Sequence, residues 1–112
     1  MKNIYKKIGE RIRYYRRRKG ISQLELANAI DTTQSYIYLV EKGKVRLTLE
    51  NLLKISEVLG VPVSYLAPEF ANEKISIDEI PKDFTIEDIL EWFKSLPKNK
   101  RKEILSQFIQ FV

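Results

Sequence analysis

The chain has 112 residues, enough for one compact domain with an accessory element. It has no apolar run long enough for a signal peptide or a membrane span, so we expect a cytoplasmic protein with no membrane partner. It contains neither cysteine nor histidine, which excludes disulfides, thiolate metal sites and the usual general base, so we expect no metal, no cofactor and no enzymatic activity. The first 20 residues carry nine Lys and Arg against one Glu, 9 − 1 = +8 within a net charge of +5, which suits either a polyanionic partner or a solvated helix face.

The first predicted helix is amphipathic and basic. Apolar residues recur at helical spacing at Ile8, Ile12 and Tyr15, with Lys and Arg filling the rest of each turn. Gly20 then provides a helix end, so this helix is expected over about residues 3–19.

Two further helices are predicted, separated by a brief turn. Ser22 stands three residues before Glu25, which is the capping-box pattern that begins a helix. Asp31 marks the turn, because Asp tolerates a left-handed backbone, and Thr33 can cap a third helix that ends at Gly43. The residues expected to face the core are Leu24, Leu26, Ala27, Ile30, Ile37 and Val40.

A fourth and a fifth helix complete this part of the chain. Thr48 is a capping residue for the fourth helix, which ends at Gly60, and Pro62 begins a short fifth helix through Leu66. The fourth helix supplies several candidate core residues, namely Leu49, Leu52, Leu53, Ile55, Val58 and Leu59.

The remainder divides into a linker and a helical hairpin. Between residues 69 and 83 the pattern changes to Pro, Asn and alternating charge, which indicates a linker in which Ile75, Ile77 and Ile80 could be ordered. Helical periodicity returns over residues 84–112, where Thr85 caps one helix and Pro97 separates it from a second. The sequence therefore predicts an all-α protein with a five-helix domain over residues 1–68, a linker and a C-terminal helical hairpin.

The segment ISQLELANAIDTTQSYIYLVEKG has the spacing of a DNA-binding helix-turn-helix. A helix fits the major groove, and its first residues reach base edges while the preceding helix lies across the backbone. Ile37 and Val40 would anchor this recognition helix from behind. The residues expected on its outer side are Gln34, Ser35, Tyr38, Leu39 and Lys42.

At these residues the sequence resembles the Cro/C1-type (XRE-type) helix-turn-helix regulators. The likeness extends over about residues 8–66 through four spaced segments, IGERIRYYRRRKG, ISQLELANAI, YIYLVEKGK and TLENLLKISEVLGVPVSYL. It implies a five-helix, lambda-repressor-like domain that binds double-stranded DNA without metal or cofactor, in a sequence-specific transcriptional regulator expected to act as a repressor. Asp31 departs from the pattern where glycine is common, and Leu47 where proline is common.

The resemblance also implies roles for individual residues. Bases would be contacted from the start of the recognition helix, and phosphates from the start of the second helix and from the loop after the third. The implied DNA-binding set is Gln23, Thr33, Gln34, Ser35, Tyr38, Leu39, Lys42, Lys44 and Arg46. Arg16 and Glu41 match a buried ion pair that ties the first helix to the third. From the residues alone, Gln34 and Ser35 could also be solvated, and Tyr38 could pack on a neighbouring helix.

The C-terminal hairpin is predicted to join two copies of the chain. Two short amphipathic helices are marginal in water, so their apolar stripes must dock on the N-terminal domain, on a second copy or on another protein. A homodimer would present two recognition helices to half-sites about 10 bp apart, and its layout resembles that of the SinR-type regulators. The residues expected at the dimer interface are Ile89, Leu90, Phe93, Ile104, Leu105, Phe108 and Ile109.

A second function class stays open at this point. The chain could be a protein-interaction module, such as an antitoxin or adaptor, and a protein antagonist could act on the hairpin. The basic first helix, together with Gln23, Gln34 and Ser35, favours DNA as the main partner.

Overall fold

The computed structural model describes residues 2–68 and 80–95, in which helices are the regular elements and no strand is present. The helices are α1 (Lys2–Lys19), α2 (Gln23–Ala29), α3 (Gln34–Lys42), α4 (Leu49–Leu59), α5 (Val63–Leu66) and α6 (Ile86–Ser95). The all-α prediction and its five N-terminal helices are confirmed. Within the described ranges no helix has both the length and the apolarity to cross a membrane.

Helices α2, α3 and α4 begin at the predicted capping residues. The Ser22 hydroxyl accepts from the Glu25 amide at 3.0 Å, and the Glu25 carboxylate accepts from the Ser22 amide at 3.0 Å, which completes the capping box. Thr33 and Thr48 each accept from a first-turn amide through their hydroxyl groups. These contacts satisfy amides that have no partner inside the helix. The turn residue Asp31 has φ = 60°, the left-handed conformation that the sequence predicted for it.

The core is built from side chains of α1 to α5, and α6 adds Ile86 and Ile89 to it. Its fully buried large side chains are Ile8, Ile12, Leu26, Ile37, Leu49, Leu52, Ile55, Leu66, Ile86 and Ile89. The core prediction is wrong for Leu24, which is 50% exposed. Residues two apart in a helix are separated by about 200° around its axis, so Leu24 cannot share the buried side that Leu26 occupies.

The segment before α6 is attached to the start of α4. The Leu49 amide donates to the Phe84 carbonyl at 2.9 Å, and the Glu50 amide donates to the Lys82 carbonyl at 3.1 Å. These bonds satisfy two amides in the first turn of α4. Residues 80–83, which the sequence placed at the end of the linker, are therefore part of the folded unit, with Ile80 buried. Residues 69–79 of that linker lie outside the described residues.

Helix α6 is buried along one side in the core of its own chain. Ile86 and Ile89 are fully buried, and Leu90 and Trp92 pack partly buried against the same cluster. The sequence placed Ile89 at an interface with a second copy, whereas in the structure its side chain is occupied by intramolecular packing. The amphipathic pattern was compatible with packing on the same chain or on a second copy. It shows that an apolar stripe must be covered, but it does not identify the surface that covers it. The predicted second hairpin helix lies outside the described residues, with Ile104, Leu105, Phe108 and Ile109.

Candidate nucleic-acid interface

A buried ion pair fixes the end of α3 to α1. Arg16 Nε lies 2.6 Å from Glu41 Oε2, and Arg16 Nη2 lies 3.1 Å from Glu41 Oε1. Arg16 Nη1 donates in addition to the Ile21 carbonyl at 2.9 Å. The two side chains are 9% and 2% exposed, so a bidentate, hydrogen-bonded geometry is needed to offset their desolvation. The structure thus contains the pair that the resemblance implied.

Gln23 adds α2 to this junction. Its side-chain Nε2 donates to Glu41 Oε1 at 3.1 Å, so one carboxylate receives bonds from both preceding helices. Because Gln23 opens α2, this contact holds the N-terminus of α2 against the C-terminal part of α3. In the structure Gln23 therefore supports α3 from the start of α2.

The remaining faces of α3 divide into a buried and an outward side. Ile37 and Val40 are buried, whereas Gln34, Ser35 and Tyr38 are exposed at the outward side and Leu39 is half-buried. Beyond them, the Lys42 ammonium lies 5.7 Å from the centroid of the Tyr38 ring, within the range of a cation–π contact. Tyr38 therefore lies along its own helix and stays accessible.

The neighbouring Tyr36 points the other way. Its hydroxyl accepts a hydrogen bond from Asn51 Nδ2 at 2.8 Å, which ties α3 to α4. Burial raises the pKa of Tyr36 above its usual value, and the hydrogen bond from Asn51 opposes that effect in part. We assign Tyr36 to the support of α3 and not to its outward surface.

A groove with a basic rim runs between α1 and the outward side of α3. Its α1 wall carries Lys6, Arg13 and Arg17, and its α3 wall carries Gln34, Tyr38 and Lys42, with Gln23 between them and Glu10 as an acidic member. Residues 6, 10, 13 and 17 share one helix face because their spacings are three or four. The sequence predicted that α1 is basic but did not single out Lys6 and Arg13. The spacing of Lys6, Arg13 and Arg17 at i, i+7 and i+11 is the signal that could have identified them.

Two glycines let α1 and α3 approach closely at this groove. A Cβ at Gly9 would overlap the Val40 carbonyl oxygen and lie 2.7 Å from that of Glu41. A Cβ at Gly43, whose φ is 72°, would lie 2.5 Å from Lys6 Cα. The packing role of Gly9 was not predicted from the sequence. A glycine inside a predicted helix costs about 1 kcal/mol relative to alanine, which is the signal that it has such a role.

The loop after α3 places Lys44 and Arg46 differently. Lys44 is exposed. The Arg46 side chain is 62% exposed and turns towards the start of α6, with Nη2 lying 3.5 Å from Glu87 Oε2 and 3.8 Å from Asp88 Oδ1. A hydrogen bond with Tyr5 and the charge of Glu87 raise the pKa of Arg46 above its usual value. Arg46 is thus an implied phosphate ligand that is already engaged by carboxylates of its own chain, as Gln23 is by Glu41.

Comparison with protein families and curated sequences places these elements among known proteins. A helix-turn-helix family model matches residues 12–66. The chain is 33% identical over 75 residues to the SPbeta prophage-derived uncharacterized HTH-type transcriptional regulator YonR of Bacillus subtilis, covering 67% of this chain and 68% of YonR. It is 38% identical over 63 residues to the HTH-type transcriptional regulator SinR of the same species, covering 55% of this chain and 57% of SinR.

A solved structure shows the same fold. The restriction-modification controller protein C.AhdI from Aeromonas hydrophila matches with a TM-score of 0.56 and 34% sequence identity, over 58% of this chain and 94% of C.AhdI. The curated relatives differ widely in length, and the chain spans as little as 13% of some that it matches. The likeness is therefore concentrated in the helix-turn-helix domain.

Proposed function

The chain belongs to the XRE-type helix-turn-helix family of DNA-binding transcriptional regulators, a family of non-enzymes, and on this premise we propose that it recognises a specific double-stranded DNA sequence as a homodimeric repressor. The observation that carries the proposal is the way in which α3 is held by the neighbouring helices. Its C-terminal part is fixed to α1 and α2 through Glu41, while Gln34 and Ser35 stay exposed at its start, beside a groove with a basic rim. A helix held from behind and open at its N-terminus suits insertion into the major groove.

The residues divide between base and phosphate contacts in this proposal. Gln34 and Ser35 reach base edges, since glutamine can form a bidentate pair with adenine, and Tyr38 and Leu39 lie one turn further along. The Thr33 hydroxyl already accepts from the Tyr36 amide at 3.1 Å, which leaves its hydrogen and its second lone pair for contact with DNA. The phosphate contacts come from Gln23, Lys42, Lys44 and Arg46. The cations of α1 add attraction that does not depend on sequence.

Repression is the proposed mode of action because it requires no contact surface beyond the one that binds DNA. Occupying a duplex site excludes any competing protein from the same DNA without a further contact surface. The proposal places the protein in the cytoplasm with its DNA partner, and it allows a protein antagonist to act by covering the dimer interface.

The dimer is proposed to form through residues 84–112. Ile89 is occupied within its own chain, so the contact is assigned to Leu90 at the edge of the core and to the other apolar residues of the hairpin stripe, namely Phe93, Ile104, Leu105, Phe108 and Ile109. Sedimentation equilibrium of the full chain tests this. A dimer at micromolar concentration that dissociates in Leu105→Lys supports it, and a monomeric wild type overturns it.

DNA binding itself is tested with a fluorescein-labelled duplex of random sequence. We expect saturable binding by fluorescence polarisation that weakens as salt rises, because phosphate contacts release counterions. Absence of binding at low and at high salt would favour the alternative, a protein-interaction module such as an antitoxin or adaptor. Selection of bound duplexes from a random pool then gives the operator and the spacing of its half-sites.

A further inference from the structure

The loop that follows α3 and the start of α6 form one structural unit. The Ile86 amide donates to the Leu47 carbonyl at 3.3 Å, directly after Arg46 in the chain. The Glu87 amide donates to the Tyr5 hydroxyl at 3.3 Å. Because Tyr5 is buried on α1, the first turn of α6 is fixed against both α1 and the loop.

This unit is connected through the chain to residues that line the basic groove or lie at the end of α3. Tyr5 immediately precedes Lys6, which lines the groove and touches Gly43 at the end of α3. Arg46 follows Gly43 by three residues and contacts the first turn of α6 through Thr85 at 3.4 Å as well as through the two carboxylates. A phosphate that approaches Arg46 would therefore meet the guanidinium and its acidic neighbours together.

We propose that Glu87, assisted by Asp88, sets the DNA affinity of the protein by competing with a DNA phosphate for the guanidinium of Arg46. The inference rests on the proposed DNA-binding function and assigns to α6 a part in it. Glu87 is a positioning residue here, since it acts on DNA through Arg46 and not by direct contact.

The exposure of the pair makes the competition reversible. Arg46 is 62% exposed and Glu87 30% exposed at the side chain, and an exposed ion pair contributes little to stability. The guanidinium can therefore leave Glu87 for a phosphate at small cost. While it stays paired, it neutralises no phosphate, so one charge contact is withheld from the DNA.

The test is a double-mutant cycle on the full chain with a fluorescein-labelled duplex of random sequence at low salt. The four proteins are wild type, Glu87→Gln, Arg46→Ala and the double variant. We expect Glu87→Gln to bind about two- to fivefold more tightly than wild type, the effect of releasing one exposed pair. In the Arg46→Ala background the same change should have no effect, because the group it acts through is gone.

Glu91→Gln is the matched control, since it removes the same charge from α6 one turn further along, away from the Arg46 contacts. It should leave affinity within the error of wild type. If thermal denaturation shows that Glu87→Gln is not folded at the temperature of the binding assay, Glu87→Ala takes its place, because both variants remove the carboxylate charge.

Three results would overturn the inference. An unchanged affinity in Glu87→Gln would show that the pair does not compete with DNA. An equal gain with and without Arg46, or an equal gain in Glu91→Gln, would show general repulsion between acidic side chains and DNA. In each of these cases wild-type binding would still stand, whereas failure of the wild type to bind any duplex would reject the proposed function together with this inference.

Discussion

Gln23 and Arg16 meet on the same carboxylate, that of Glu41, at 3.1 Å and 2.6 Å respectively. The recognition helix α3 is therefore positioned by two different preceding helices through one of its own side chains. Loss of Arg16 or Glu41 would therefore disturb DNA binding by releasing α3, although neither side chain is assigned a DNA contact.

We predict that Arg16→Met destabilises the fold by about 3–5 kcal/mol, because it leaves the Glu41 carboxylate buried without its cation. The free energy of unfolding from urea titration measures the effect. Arg17→Met is the control, since Arg17 is the exposed neighbour of Arg16 on α1, and its substitution should change stability by less than about 0.5 kcal/mol. Equal effects of the two variants would show that the ion pair does not hold the fold.

We predict that Gly9→Ala destabilises the fold, although alanine is the better helix former by about 1 kcal/mol. The added methyl group overlaps carbonyl oxygens of α3, and overpacking of this kind costs about 1–3 kcal/mol. Asn28→Ala on the exposed side of α2 is the matched control and should be neutral or slightly stabilising. Thermal unfolding of both variants decides the matter, and a stabilised Gly9→Ala would mean that α1 and α3 are not in close contact.

The contrast between Gly9 and the helix caps shows what could be predicted from the sequence. Ser22, Thr33 and Thr48 each accept from an amide three residues along the chain, so their roles follow from local spacing, and the helices they begin were predicted correctly. Gly9 and Ile89 depend on which distant element packs against them. Periodicity shows that a residue needs a partner and does not identify it.

At the candidate nucleic-acid interface, too, local spacing could be predicted from the sequence but contacts between distant residues could not. The family motif identified the outward residues of α3, because its residues stand at fixed spacings in one stretch of chain. It could not show that Arg46 is paired with Glu87, since the two residues are 41 positions apart in the chain and meet only because the segment before α6 returns to the start of α4.

The cations on one face of α1 are predicted to contribute to DNA affinity without contributing to base choice. In Arg13→Ala/Arg17→Ala the slope of log affinity against log salt should fall by up to about 2, because each phosphate contact adds roughly 0.9 to that slope. Lys54→Ala, which removes a cation from α4 outside the groove, should leave the slope unchanged. An unaltered slope in the double variant would remove α1 from the interface.

Asp88 is predicted to titrate below its usual pKa of 3.8. The Thr85 amide donates to Asp88 Oδ2 at 3.0 Å, and this bond, with that of the Thr85 hydroxyl, favours the charged carboxylate and lowers the pKa. A lowered pKa in the folded state stabilises the fold above the unfolded value, and this stabilisation is lost as pH falls through the folded value. An NMR titration of the Asp88 carboxyl should give a midpoint below 3.8, and Thr85→Val should raise it. A midpoint at or above 3.8 in the wild type would mean that α6 lacks this capping contact in solution.

The central claim is that α3 recognises base sequence through its first residues, and selection of bound duplexes from a random pool tests it most directly. Wild type and Gln34→Ala are carried through the same selection. We expect a two-fold symmetric site for the wild type and, for Gln34→Ala, a lost preference at one position in each half-site, with affinity for the wild-type operator weaker by about 1–3 kcal/mol. Enrichment of no sequence by the wild type, or of an identical site by both proteins, would contradict the account.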